Sequence, residues 1–169
     1  MKTYVIILSK KFPTTHPRKG QETEFGRSFL NGKKIHTIRG NFPLWEKRLK
    51  EVQEGRAVLS VRQWTGVPYR SHQKELRRLT KEDGIGVQKV VFGRSQWEEN
   101  DGKLHSCFWA NVDGRKEEIN LEDIASNDGF SGFLDFILWI EPSMDRQTPD
   151  SDGWIHKELA IIHFTKFRY

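Results

Sequence analysis

Apolar residues recur along this chain with two periods, predicting strands with short helices inserted between them. Tyr4 to Leu8 is an almost unbroken apolar run and reads as a buried strand. Lys10 to Gly20 carries Pro13 and Pro17 and reads as a loop. Phe25, Phe29 and Leu30 recur at helical spacing, which predicts a helix over Glu22 to Leu30. Lys34 to Arg39 has the β-branched character of a strand. Pro43 suits a first helical turn, Leu44, Trp45, Leu49 and Val52 continue with helical period to Gln53, and Gly55 stops it. From Ala57 to Thr65, Val58, Ser60, Arg62 and Trp64 alternate with Leu59, Val61 and Gln63, as in a half-buried strand.

The second half continues this order. Gly66 to Gln73 reads as a turn and loop, and Lys74 to Leu79 as a short basic helical turn. Val87 to Phe92 and Lys103 to Val112 read as strands, with Asp113-Gly114 as a hairpin turn returning through Arg115 to Ile119. Leu121 to Ala125 starts one helix. Phe130 to Ile140 forms another, with Phe133, Phe136, Ile137 and Ile140 on one side. Ser143 to Gly153 is a polar surface loop, and Leu159 to Phe167 is the last strand. There is no internal repeat, heptad run or low-complexity tract. Strand-rich order with hairpin turns predicts an α+β protein, a small mixed β-barrel with peripheral short helices, rather than a doubly wound sheet. At 169 residues the simplest organisation is one domain over 1–169.

Candidate chemistry concentrates at Gly32-x-Lys34-x-x-Thr37-x-Arg39. Gly32 is a natural cap for the preceding helix, since glycine enters the left-handed region at little cost. Side chains at i and i+2 share a strand face, so Thr37 and Arg39 point one way and His36 the other. Lys34, at the mouth of the strand, can swing toward Thr37. A lysine, a hydroxyl and an arginine converging at one corner suit an anion or the polar edge of a base. As surface residues, the same types would do nothing more than meet solvent. Asp128, in Ser126-Asn127-Asp128-Gly129, is a further candidate carboxylate, although such a turn also caps backbone donors. A second cluster is Arg62, Trp64, Tyr69 and Arg70, cations interleaved with aromatics, which suits a nucleobase.

The Gly-x-Lys-x-x-Thr-x-Arg pattern resembles the signature of the ASCH family, small β-barrel domains similar to the PUA fold. In outline the resemblance extends further: a helix and then the strand Ala57 to Trp64 follow the motif, a late helix follows an Asp-Gly turn, and an apolar strand closes the chain. It is specific only at Gly32, Lys34, Thr37 and Arg39. The resemblance implies binding of RNA or a modified nucleoside in a cleft formed by Lys34, Thr37, Arg39, Arg62 and Asp128. Some ASCH proteins resemble amidohydrolases that deacylate acetylated cytidine, using a lysine and a threonine of the motif with a glutamate before the late helix. On that reading Thr37 is the nucleophile, Lys34 the base and Asp128 the support. Asp128 is one methylene shorter than the glutamate, which favours binding over catalysis because catalytic groups need close placement. A third reading is a ribonuclease.

Composition refines this picture. Charged residues are 30% and hydrophobic residues 36% of the chain, a globular rather than a disordered balance. The net charge of +5 permits a polyanionic partner without demanding one, and favours a small ligand over long duplex RNA. Cys107 is the only cysteine, so neither an internal disulfide nor a cysteine zinc site is expected. His16, His36, His72, His105, His156 and His163 show no i, i+4 pairing, and no metal or other cofactor is expected. The first apolar run is too short for a signal peptide, and no window has the length of a membrane span, so the expected location is the cytoplasm.

Overall fold

The strands divide between two sheets. In one, β1 (Lys2–Ile7) runs parallel to β3 (Ala57–Trp64), which pairs antiparallel with β4 (Gln73–Leu79). The other is antiparallel, in the order β2 (His36–Arg39), β7 (Trp154–His163), β5 (Gly86–Glu98) and β6 (Leu104–Val112). The helices are α1 (Phe25–Leu30), α2 (Phe42–Gln53), α3 (Leu121–Asn127) and α4 (Phe133–Met144). This computed structural model describes all 169 residues. One apolar cluster joins both sheets, including Ile6, Leu59 and Val61 from the first and Val90, Phe92 and Ile161 from the second. No helix is long and apolar enough to cross a membrane.

The predicted α+β class holds, but the strands do not close into one hydrogen-bonded barrel. β1 and β2 are edge strands of different sheets. A side chain bridges them instead: the Arg39 guanidinium, on four-residue β2, donates through Nη2 to the Ile7 carbonyl of β1 at 2.6 Å.

The expected α2 helix forms with its apolar stripe inward. Asn41 Oδ1 accepts from Leu44 N–H at 3.2 Å, Pro43 lies in the first turn, and Trp45, Leu49 and Val52 are buried. Several expectations need correction. Lys74 to Leu79 lies in strand β4, because pairing with β3 overrides the weak strand propensity of Lys, Glu and Arg. Arg115 to Ile119 does not return as a strand. The Asp113 carboxylate accepts from Gln88 Nε2 and Lys89 N–H, which ties the turn back to β5, and Ile119 makes one ladder-like bond to Ala110. The predicted loop from Ser143 overlaps the last turn of α4, which runs past Pro142 to Met144. β7 begins earlier than predicted, at Trp154, and ends at His163.

Candidate functional site

The site begins at the turn between α1 and β2. Gly32 adopts φ +74°, as a helix-ending glycine should, and the next two N–H groups, of Lys33 and Lys34, both donate to the Ser28 carbonyl. This turns the chain sharply and sends Lys34 inward. The turn between α3 and α4 folds over it, and the Asn127 carbonyl accepts from Ile35 N–H at 2.9 Å. Gly129 makes that close approach possible. It sits at φ +86°, and a Cβ there would stand 3.1 Å from the Lys34 Cβ.

Lys34 is 2% exposed. Its ammonium ion-pairs with Asp128 Oδ1, donates to the Asp128 carbonyl at 2.5 Å, and lies 4.4 Å from the Phe25 ring centre. Burial pulls the Lys34 pKa below its ordinary value, although Asp128 opposes that shift. Burial likewise pushes the Asp128 carboxyl up against the pull of Lys34 and Arg39. Thr37 Oγ1 accepts from Arg39 Nη1 at 2.9 Å, and the same nitrogen donates to the Ile38 carbonyl at 2.7 Å. Burial of the guanidinium lowers the pKa of Arg39 as well.

Thr37, Arg39 and Asp128 open onto one small cavity of about 20 Å³, room for roughly one water. Its apolar wall includes Phe25, Phe130 and Trp139, whose rings meet edge-on at 5.0 to 5.6 Å between centres. Phe25 and Phe130 also line an outer cleft of about 570 Å³, bordered by Arg18, Arg27 and Lys33. That cleft falls within the usual size range of small-molecule sites. Among the polar groups of the cavity's lining residues, Asp128 Oδ2 receives no protein donor and the Thr37 hydroxyl proton has no protein acceptor.

A neutral layer lies behind this face. His36 Nε2 bonds the Tyr169 hydroxyl at 2.7 Å, Asn127 Nδ2 donates to that hydroxyl at 2.9 Å, and His36 Nδ1 stands 3.9 Å from Asp128 Oδ1. His163 faces His36 across the ladder, buried, with neither ring nitrogen hydrogen-bonded. Burial holds the His36 pKa well below its usual value and lowers that of His163 to about 3.

The structure therefore brings Lys34, Thr37, Arg39 and Asp128 together, and leaves the second predicted cluster elsewhere. Arg62, Trp64, Tyr69 and Arg70 line neither the cavity nor the cleft. Gln63, on the alternate face of β3, turns toward α1, where its side chain lies beside Gly26. Arg62 donates instead to Ser60 Oγ at 2.8 Å. The histidines pair differently from the spacing as well. His105 gathers with Glu99 and Asp101 at the exposed end of the β5–β6 hairpin, where Lys103 already bonds Asp101 at 3.2 Å. The wall residues Phe25, Phe130 and Trp139 carry no sequence signal of a cavity, because their apolar spacing reads as ordinary helix core. Tyr169 has no local signal either. No family model, no curated protein and no solved structure matches the chain.

Proposed function

We propose that the cavity is the closed state of a site for a flat polar heterocycle: the base of a nucleoside, or an unstacked base of an RNA. On this reading the chain is an ASCH-like domain of PUA type, with its barrel interrupted where Arg39 bridges two edge strands. The observation that carries the reading is the burial of Lys34 with Asp128 and Arg39 beside an aromatic wall. Buried charges cost several kcal/mol each in desolvation and are a poor source of stability, so such a cluster points to a ligand. Asp128 Oδ2 would accept from an exocyclic amine or ring N–H, the Thr37 hydroxyl would donate to a ring acceptor, and Phe25 and Phe130 would cover the base faces. The cavity is too small for a base, so these two rings swing apart and join it to the outer cleft.

Calorimetric titration with cytidine, uridine, adenosine, guanosine and N4-acetylcytidine tests this. Saturable binding of at least one is expected, and Thr37→Val, which removes one hydrogen bond, should weaken it about tenfold. Absence of binding for all five by a folded protein overturns the reading.

A second reading, deacylation of acetylated cytidine, draws on the lowered Lys34 pKa and on a Thr37 hydroxyl with an uncommitted proton. Against it, both polar contacts of the Lys34 ammonium are to acceptors on Asp128, and Thr37 Oγ1 pairs with Arg39. Release of acetate from N4-acetylcytidine, lost in both Lys34→Met and Thr37→Val, would move the assignment to the hydrolase.

A further inference from the structure

One hairpin away from the cavity carries a local excess of cations. Residues 62–78 carry Arg62, Arg70, Lys74, Arg77 and Arg78 against the single acid Glu75, an excess of four. Arg70 and Lys74 are exposed and form no ion pair, while Arg62 and Arg78 share Glu75 at 4.0 and 3.1 Å. These residues lie on β4, its partner β3 and the loop between them, and β4 is an edge strand with one side unpaired.

The loop also presents an aromatic pair. Tyr69 is 91% exposed, and its ring lies beside that of Trp64, with centres 5.3 Å apart and planes tilted by 51°. Tyr69 has φ +65°, a left-handed conformation uncommon for a bulky residue. Bonds on both sides hold the loop: Thr65 N–H and Oγ1 both donate to the His72 carbonyl, Gly66 N–H donates to Ser71 Oγ, and Ser71 Oγ donates to the Val67 carbonyl. The backbone around Tyr69 is thus held by its neighbours, and the side chain it presents stands in solvent.

We infer that the β3–β4 hairpin is a separate binding face for single-stranded nucleic acid. One or two bases stack on Tyr69 and Trp64, and Arg70, Lys74 and the cations of β4 contact the flanking phosphates. Flat rings suit any base, and a short row of cations suits a strand rather than a long duplex. The inference does not rest on the cavity reading.

The test is fluorescence anisotropy with a fluorescein-labelled oligouridylate of about ten nucleotides. Contact with about three phosphates predicts an affinity that falls about 20-fold between roughly 50 and 200 mM salt. Tyr69→Ala should weaken binding about tenfold or more. Arg70→Glu with Lys74→Glu should weaken it further and flatten the salt dependence. All three positions are exposed, and unchanged thermal unfolding of each variant would exclude misfolding. Heparin, a polyanion without bases, should bind less tightly than the oligonucleotide and be indifferent to Tyr69→Ala. The inference is overturned if wild type does not bind at low salt, if Tyr69→Ala binds as wild type does, or if heparin or vesicles of anionic lipid bind as tightly as the oligonucleotide.

Discussion

The motif corner and the β3–β4 hairpin are built from the same residue types and differ in where those residues meet water. At the corner, the Lys34 ammonium and the Asp128 carboxylate are 1% and 7% exposed, and burial is the first cause of their pKa shifts. On the hairpin, Arg70 and Lys74 stand in solvent. Charges at the corner are costly to hold and costly to leave unpaired, whereas charges on the hairpin are nearly free to change. The corner is thus suited to discriminating one small group, and the hairpin to attracting a polyanion without affecting the fold.

The two regions should differ most at Asp128. Asp128→Ala leaves the Lys34 ammonium buried without a carboxylate and should cost about 3–5 kcal/mol in urea unfolding. Lys34→Met with Asp128→Leu removes both charges and should cost less than either single change. Additive losses in this cycle would mean that the pair is not coupled through burial.

Acid acts next. His163 is neutral in the fold with a pKa of about 3, against an ordinary value of about 6.5 in the unfolded chain. As pH falls below about 6.5, the unfolded chain takes up a proton that the fold refuses. Stability should therefore be full above that pH and be lost as pH falls toward 3, by up to about 1.4 kcal/mol per pH unit for each such histidine. His163→Leu should flatten the acid limb of a pH series of unfolding midpoints, and an unchanged limb would contradict the burial argument.

Gly129→Ala is a smaller change. At φ +86° and with Lys34 3.1 Å from the new Cβ, it should cost about 1–2 kcal/mol and loosen the turn over the ammonium. On the hairpin, Arg70→Ala and Lys74→Ala should leave the unfolding midpoint where it is. A clear shift in either would show that the two regions are less different than their exposure indicates.

The corner was legible where its information is local: a glycine cap and strand alternation put Thr37 and Arg39 on one face. Asp128, 94 residues from Lys34, is tied to that face only by the family resemblance and not by any local pattern. The walls of the corner were not legible, since Phe25, Phe130 and Trp139 come from three segments whose apolar spacing reports burial rather than a cavity. The hairpin failed differently. Gln73 to Leu79 carries no alternating apolar residues, so only pairing with β3 makes it a strand. Arg62 and Trp64 were expected beside the motif because the expected barrel would have placed them there. They lie in the other sheet, and sequence spacing says nothing about which sheet a strand joins. β5 is longer than predicted for a related reason: Arg94 to Glu98 pair with Leu104 to Phe108 along a largely polar extension of the hairpin.

The most direct test of a base-binding site at the motif is a chemical-shift titration of 15N-labelled protein with cytidine and N4-acetylcytidine. Saturable shifts centred on Phe25, Thr37, Arg39, Asp128 and Phe130 are expected, with Thr37→Val weakening them. Shifts confined to the Trp64–Arg70 loop, or none in a folded protein, would contradict a base-binding site at the motif.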